Sequence, residues 1–309
     1  FIILFLWYLI SIFVQIYIQI LLIVCKIMNL LGIDFEEWFH PELIQKYITK
    51  KDNELSVVYG IDKILELLRT HDTYATFFMV GELLEAKPEM MDKILDGGHE
   101  IAFHTMYHNR LDSMKNKQEF VDELKKFSDL TSKKSKGFRA PSLSLNYSSA
   151  WAIDALVENG YQYDSSIMPA KTKLYGMPNA ELKPYKITSK DLENNNHDGK
   201  LIEFPLLTRK FFNFSVPVAG GFFIRLLPLR WIETAIKNNE KKNVPSTFYI
   251  HSWELTPEYM KKVPLSKSDN FITYHNLKKA STKLEKLLKK FEFTSFERFI
   301  SKNSYLSTL

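Results

Sequence analysis

The sequence predicts an α/β protein built on parallel strands. From Met28 onward, short apolar runs rich in β-branched and aromatic residues alternate with longer amphipathic segments. Repeated strand–helix alternation calls for parallel strands joined by crossover helices. No G-x-G-x-x-G follows a strand, so a dinucleotide-binding sheet has no support. A closed barrel and an open doubly wound sheet both satisfy the pattern.

The elements follow in order. NLLGIDF, after Met28, reads as the first strand. GIDKILELLR (60–69) places Ile61, Ile64, Leu65 and Leu68 on one helical face. TYATFFMV is a second strand. A helix begins at Pro88 and stops at Gly97-Gly98. HEIAFH is the third strand, QEFVDELKKFSDL an amphipathic helix, and KGFRAP a short strand ended by Pro141. SSAWAIDALVENG is a helix closed by Gly160, and YQYDSS a strand. Residues 170–200, with Gly176, Pro178, Pro184 and the polar run ENNNHDGK, read as an irregular excursion. LIEFPL and STFYIHSWEL are two later strands with the helix LPLRWIETAIKN between them. A long helix near 273–290 and FTSFERFI close the chain, and no internal repeat is present.

Composition narrows the chemistry. The 309 residues are 45% hydrophobic and 25% charged, with a net charge of +5, which suits a packed core and excludes disorder. Lysines such as Lys278, Lys279, Lys283 and Lys286 read as a solvated helix face. No basic run interleaved with aromatics is present, so no nucleic-acid partner is expected. The single cysteine, Cys25, rules out an internal disulfide and a cysteine-based zinc site. Any metal must therefore be held by His and carboxylate groups. The first 25 residues carry no charge and are long enough to span a bilayer. Two readings follow: a membrane anchor, or mis-translated leader upstream of a start at Met28 in a cytoplasmic protein. Oligomeric state is open.

In α/β sheets and barrels, functional residues gather at the C-terminal ends of the strands. There the sequence offers Asp34, Glu36 and Glu37, then His104 and His108, Arg139, Asp164 and His251. His104 and His108 are four apart, and on a helical turn both rings would share a face. Asp34 and Glu36 point the same way if the strand continues. His99 opens its strand at the far end and reads as structural.

Taken in order, these pieces resemble the polysaccharide deacetylase family, the carbohydrate esterases with a NodB-type domain. The matching motifs are Asp34-Phe35-Glu36, His104-Thr105-Met106-Tyr107-His108, Arg139-Ala140-Pro141, Asp164 and His251, over residues 28 to about 255. DFEEWFH, FRAPS, YDSS, GGFFIRLLP and HSWEL further resemble the subgroup encoded with exopolysaccharide synthesis.

The resemblance implies a distorted (β/α)7-type, TIM-like barrel over residues 28–309, with a C-terminal extension. It implies one divalent metal, zinc by default with cobalt or nickel as alternatives, held by His104, His108 and Glu36, with Glu37 as a substitute for Glu36. It makes Asp34 the base, His251 the acid, Arg139 the partner of Asp34, and Asp164 a residue tuning His251 or Arg139. Trp38, Tyr107, Ser142, Trp253 and Arg225 become candidate substrate contacts, with Phe222 and Phe223 as further stacking surfaces. The implied reaction is removal of N-acetyl groups from amino sugars of a polysaccharide or its precursor. A deformylase or O-acetyl esterase acting on a lipid-linked sugar, and a non-catalytic sugar-binding relic, are the alternatives.

Overall fold

The computed structural model describes residues 27–49, 54–172, 174–212 and 214–303. The uncharged run over residues 1–25 lies outside the described residues. Among those described, no helix is long and apolar enough to cross a membrane.

The main sheet contains β1 (Asn29–Phe35), β2 (Thr76–Met79), β3 (Glu100–Phe103), β4 (Gly137–Phe138), β5 (Tyr163–Asp164), β6 (Tyr185–Ile187), β7 (Leu201–Glu203), β10 (Thr247–His251) and β11 (Phe293–Thr294). Their order is β10-β1-β2-β3-β4-β5-β7-β6, with β11 beside the start of β1. Every pairing along this path is parallel except the last, between β7 and β6. The sheet curls back on itself. Just beyond β7, Leu206 forms a parallel bridge with Thr247 of β10, and Leu207 N donates to Thr247 O at 3.0 Å. This contact brings the two ends together and gives the distorted (β/α)7-type barrel.

Helices wrap the strands as the apolar periodicity predicts. Ile61–Thr70 buries Ile61, Ile64 and Leu68. Lys117–Leu130 is capped by Asn116, whose side chain accepts from Glu119 N, and it buries Phe120, Leu124 and Phe127. Phe120 and Phe127 meet Phe103 of β3 at ring distances of 6.1 and 4.6 Å. β1 is buried along its whole length, as expected for a central strand covered on both faces.

Some details depart from the sequence reading. The long helix near 273–290 is two helices, Lys267–Tyr274 and Lys279–Leu288, parted where Asn276 takes a φ of 51°. Pro88 is preceded by an extra short helix, Gly81–Ala86. The excursion at 170–200 contains β6, and an exposed hairpin, β8 (Thr208–Phe211) with β9 (Phe214–Pro217), follows β7.

Gly32, in the middle of β1, is set by the barrel interior. A Cβ there would lie 2.6 Å from Arg139 Nη1 and 2.9 Å from the Phe78 ring. The strand needs a glycine because the Arg139 guanidinium occupies that space. Forcing atoms into a packed interior costs about 1–3 kcal/mol. Gly32→Ala should lower stability by about that amount, read as the urea midpoint, and should reduce activity with it; an unchanged midpoint would contradict this packing.

Candidate active site

The strand ends converge as parallel α/β architecture dictates. Asp34 and His251 are direct register partners on β1 and β10. Arg139 follows β4, its N–H donating to Phe103 O at 3.0 Å, while Asp164 ends β5 and His104 follows β3. A cavity of about 280 Å³ opens over this rim, and Asp34, Glu36, His104, His108 and His251 all line it.

Arg139 is fully buried, and each of its three side-chain nitrogens donates a hydrogen bond. Nη1 donates to Asp34 Oδ1 at 2.6 Å, Nη2 to Ser165 Oγ at 2.8 Å and Nε to Ser165 O at 2.8 Å. Its guanidinium lies 3.9 Å from the centre of the Phe78 ring, a cation–π contact. Its own carbonyl accepts from His104 Nδ1 at 2.7 Å. That bond fixes the tautomer of His104 and turns Nε2 toward the cavity. Burial pushes the His104 imidazole down to about 4, so the ring stays neutral.

Glu36, His104 and His108 place one ligand atom each within 4.8 Å of one another. His108 does not reach this position on a helical turn, as its spacing suggested. Residues 104–108 form a loop in which Thr105 and His108 have φ values of 57° and 56°. The loop folds the two imidazoles to a ring separation of 5.1 Å. Glu36 Oε2 is buried 2.6 Å from His108 Nε2, yet it accepts no hydrogen bond. Burial opposes a charge on Glu36, but the neighbouring imidazoles, His108 first, hold the carboxyl well below the usual carboxylate range. A buried carboxylate beside two imidazole nitrogens, once those nitrogens are deprotonated, is a donor set that fits a divalent cation of borderline hardness.

Glu37 does something else. Its carboxylate accepts from Ser56 N, Val57 N and Val58 N at 2.9–3.0 Å. It anchors the turn at Val57–Gly60 and has no free face for a metal.

His251 is held from behind. Its Nδ1 lies 2.8 Å from Glu254 Oε2, and Arg225 Nε donates to Glu254 Oε1 at 2.6 Å. Burial works against a charged imidazole, but Glu254 foremost raises His251 to about 9. Trp253 stacks on His251 at 4.8 Å and donates Nε1–H to Glu36 Oε1 at 2.8 Å. Ser252 Oγ donates to Glu36 O at 2.6 Å. His251, Ser252, Trp253 and Glu254 thus all serve this site. Sequence reasoning missed Glu254; an acid three residues after a strand-end histidine, in a capping box with it, is the signal that could have found it.

Several expectations are corrected. Arg225 lines the cavity, but its guanidinium is committed to the protein: beyond Glu254, its Nη1 and Nη2 donate to the carbonyls of Thr273, His275 and Ile272. Trp38 is buried in a satellite core beside Ile44 and Val57, its Nε1–H bonded to Glu54 O, away from the cavity. Tyr107 lines a separate groove with His40 and Glu82. Asp164 lies close enough for the Arg139 charge to oppose the effect of its burial, but its hydrogen bonds go elsewhere. It accepts from Ser166 Oγ at 2.6 Å, and Ser166 Oγ in turn accepts Ala140 N–H at 2.8 Å. Asp164 is also the register partner of Glu203. Burial, together with the neighbouring carboxyl, raises Glu203, and burial raises Asp164. Ser142 and Trp253 do line the cavity, and Ser142 sits in a left-handed turn with φ 52°.

The geometry agrees with comparisons to known proteins. A family model described as "Polysaccharide deacetylase" matches residues 56–163.

Residues 56–163 of the chain carry a polysaccharide deacetylase domain.

A second model, "Domain of unknown function (DUF3473)", matches residues 165–301. The deacetylase barrel does not divide at that boundary, because β7 and β10 from the second segment complete its sheet. A peptidoglycan deacetylase of Helicobacter pylori is 32% identical over 112 residues, which is 35% of this chain and 37% of that protein. A chitooligosaccharide deacetylase of Bradyrhizobium sp. is 40% identical over 45 residues, 15% of this chain and 20% of that protein. The matches thus span well under half the length of these relatives. Among solved structures, a Mycobacterium smegmatis protein assigned to the polysaccharide deacetylases aligns with a TM-score of 0.57 at 15% identity, covering 91% of this chain and 92% of that one. It supports the fold.

A zinc titration followed by calorimetry should give one ion bound per chain. Glu36→Gln and His104→Ala should each weaken binding by at least about tenfold, the scale seen when even an outer-shell partner is lost. Glu37→Gln should leave zinc affinity intact and lower the melting temperature. Equal zinc affinity in all four proteins would remove this site.

Proposed function

We propose that the chain is a metal-dependent hydrolase that removes N-acetyl groups from amino sugars and releases acetate. One observation carries the reading: a carboxylate paired with a buried arginine, a two-His, one-Glu cluster and a supported histidine all face one cavity. The names of the relatives, peptidoglycan and chitooligosaccharide deacetylases, support an N-acetylated amino sugar as substrate. The wording of the motifs favours a polymer, or polymer precursor, of exopolysaccharide synthesis.

A divalent ion held by Glu36, His104 and His108, zinc by the donor chemistry with cobalt or nickel as alternatives, supplies Lewis acidity toward the acyl oxygen and acidifies water. The protein's own groups do the rest. Asp34, oriented by Arg139, accepts the proton of the attacking water. The left-handed turn at Ser142 offers a backbone N–H to the developing oxyanion. Asp164 acts at a distance, holding Ala140 in place through Ser166. His251 protonates the departing nitrogen, while Glu254 and Arg225 orient it and favour its charged form.

This last arrangement favours an amide over an O-acetyl ester. An amine leaves only after protonation, whereas an alkoxide needs that help less. A formyl group would satisfy the same geometry. A sugar-binding relic does not explain why base, acid and ligands are all present with their supports intact.

Two measurements test the reading. The zinc-loaded chain should release acetate from N-acetylated oligosaccharides, and Asp34→Asn and His104→Ala should reduce that release at least a hundredfold. Failure of the wild type to release acetate while binding zinc would sink the acetyl reading. The second is a pH profile. An acid must carry its proton, so the rate should hold through neutrality and fall as pH rises toward the His251 value of about 9. A cation on Glu36 offsets one of the charges that favour the imidazolium and moves this limb lower. Glu254→Gln removes another, so its basic limb should lie below that of the wild type; coincident limbs would show that Glu254 does not tune the acid.

A further inference from the structure

We infer that the amino sugar bound here carries an apolar chain as its aglycone, so that the substrate is a lipid-linked sugar and not a free polysaccharide. The inference rests on the deacetylase reading, because it concerns what else the same cavity must accept. Any amide that reaches Asp34 and His251 has to lie against the walls of this cavity. Exposure along those walls sorts the contacts by depth. Leu143, Tyr249 and Trp253 are buried and stand near the reacting groups. Leu43, Leu174, Phe222, Phe223 and Ile272 are partly or largely exposed and form the mouth. The part of the substrate farther from the amide therefore meets an apolar ring.

Among the described residues, much of the polar capacity at the mouth is already committed to the protein, although Glu42 keeps a free oxygen. Arg225 is used up on Glu254 and three carbonyls. Glu42 accepts from Arg110 Nη1 at 3.0 Å. Thr172 Oγ1 is bonded to Tyr175 O. A subsite for further sugar rings needs unengaged donors and acceptors, since each hydroxyl that loses water without a partner weakens binding. Aliphatic Leu43, Leu174 and Ile272 offer nothing of that kind, but they suit methylenes.

The apolar surface continues outward. Phe271, 47% exposed, packs edge-on against Phe222 at 5.9 Å, and Leu174 at the lip is 44% exposed. A chain leaving the cavity meets apolar surface on its way out.

The test is the affinity of the full chain for the methyl, butyl and hexyl β-glycosides of N-acetylglucosamine, beside the N-acetylglucosamine tetramer, by calorimetry. All alkyl glycosides are kept below their micelle concentrations. Acetate release from each is followed separately with zinc present. Burying one methylene strengthens binding by about fourfold. Kd should therefore fall at least about tenfold from methyl to hexyl, and the hexyl glycoside should bind more tightly than the tetramer. Leu174→Ser and Phe271→Ser, each an exposed position, should each flatten the series. Affinity that is level along the series, or highest for the tetramer, overturns the inference. A steep series that neither variant alters also overturns it, because the gain then comes from elsewhere on the protein. Chain-length-dependent binding without acetate release would uphold the apolar aglycone and overturn the N-acetyl reading; acetate release with a level series would do the reverse.

Discussion

The site is organised around a guanidinium buried in the middle of the barrel. A charge in that position costs several kcal/mol unless it is paired and fully hydrogen-bonded. Arg139 meets both conditions through Asp34, Ser165 and the Phe78 face. Its demands reach far along the sequence. Gly32 must lack a side chain, Ser165 must follow β5 directly, and Asp34 must end β1. The same residue's carbonyl sets the tautomer of His104. One residue thus orients Asp34, the proposed base, with its side chain and His104, the proposed ligand, with its main chain. A shift of β4 against its neighbours would disturb both functions together, which explains why strands as short as β4 and β5 are so heavily bonded at their ends.

The second half of the chain is part of the active site. The segment from 165 to 301 contributes the strand that closes the barrel, the proposed acid His251 and both of its supports. It also holds Glu36 from two sides, through Ser252 and Trp253. The position of Glu36 in the donor cluster of the first half is therefore set in part by the second half. Coupling of this kind keeps acid and ligands in a fixed relation, and a proton delivered to the wrong atom of the leaving group would be useless.

Much of this was legible in the sequence. Strand and helix positions followed from periodicity, and parallel topology placed Asp34, His104, Arg139, Asp164 and His251 on one rim. What the sequence hid were partners supplied from far along the chain. Arg225 read as a free cation because nothing near it announced Glu254 or the carbonyls of 272–275. Trp38 read as a sugar platform because its core, built with residues such as Val57 and Met260, is assembled from distant segments. The spacing of His104 and His108 gave the right pair for the wrong reason: two left-handed residues bring the rings together, and helical periodicity plays no part. The β8–β9 hairpin escaped because its exposed phenylalanines do not show the polar alternation of a solvated strand.

The four acids near the cavity show how partner sets role. Asp34, Glu36, Glu37 and Glu254 are all buried, and residue type alone distinguishes none of them. Asp34 faces a guanidinium, which keeps it oriented as a proton acceptor. Glu37 faces three backbone N–H groups, so its lone pairs are spent on a turn. Glu254 lies between a guanidinium and an imidazole, and its negative charge favours the protonated form of the latter. Glu36 has one oxygen fixed by Trp253 and the other aimed, without a hydrogen bond, at the imidazoles. Glu36 directs an oxygen to the point where two imidazoles also converge, which is where a cation can take it. Adjacent acids in DFEEW therefore divide into ligand and structural anchor because successive side chains leave a strand end in opposite directions. Glu36 turns inward to the rim, and Glu37 turns outward to the chain that packs behind it.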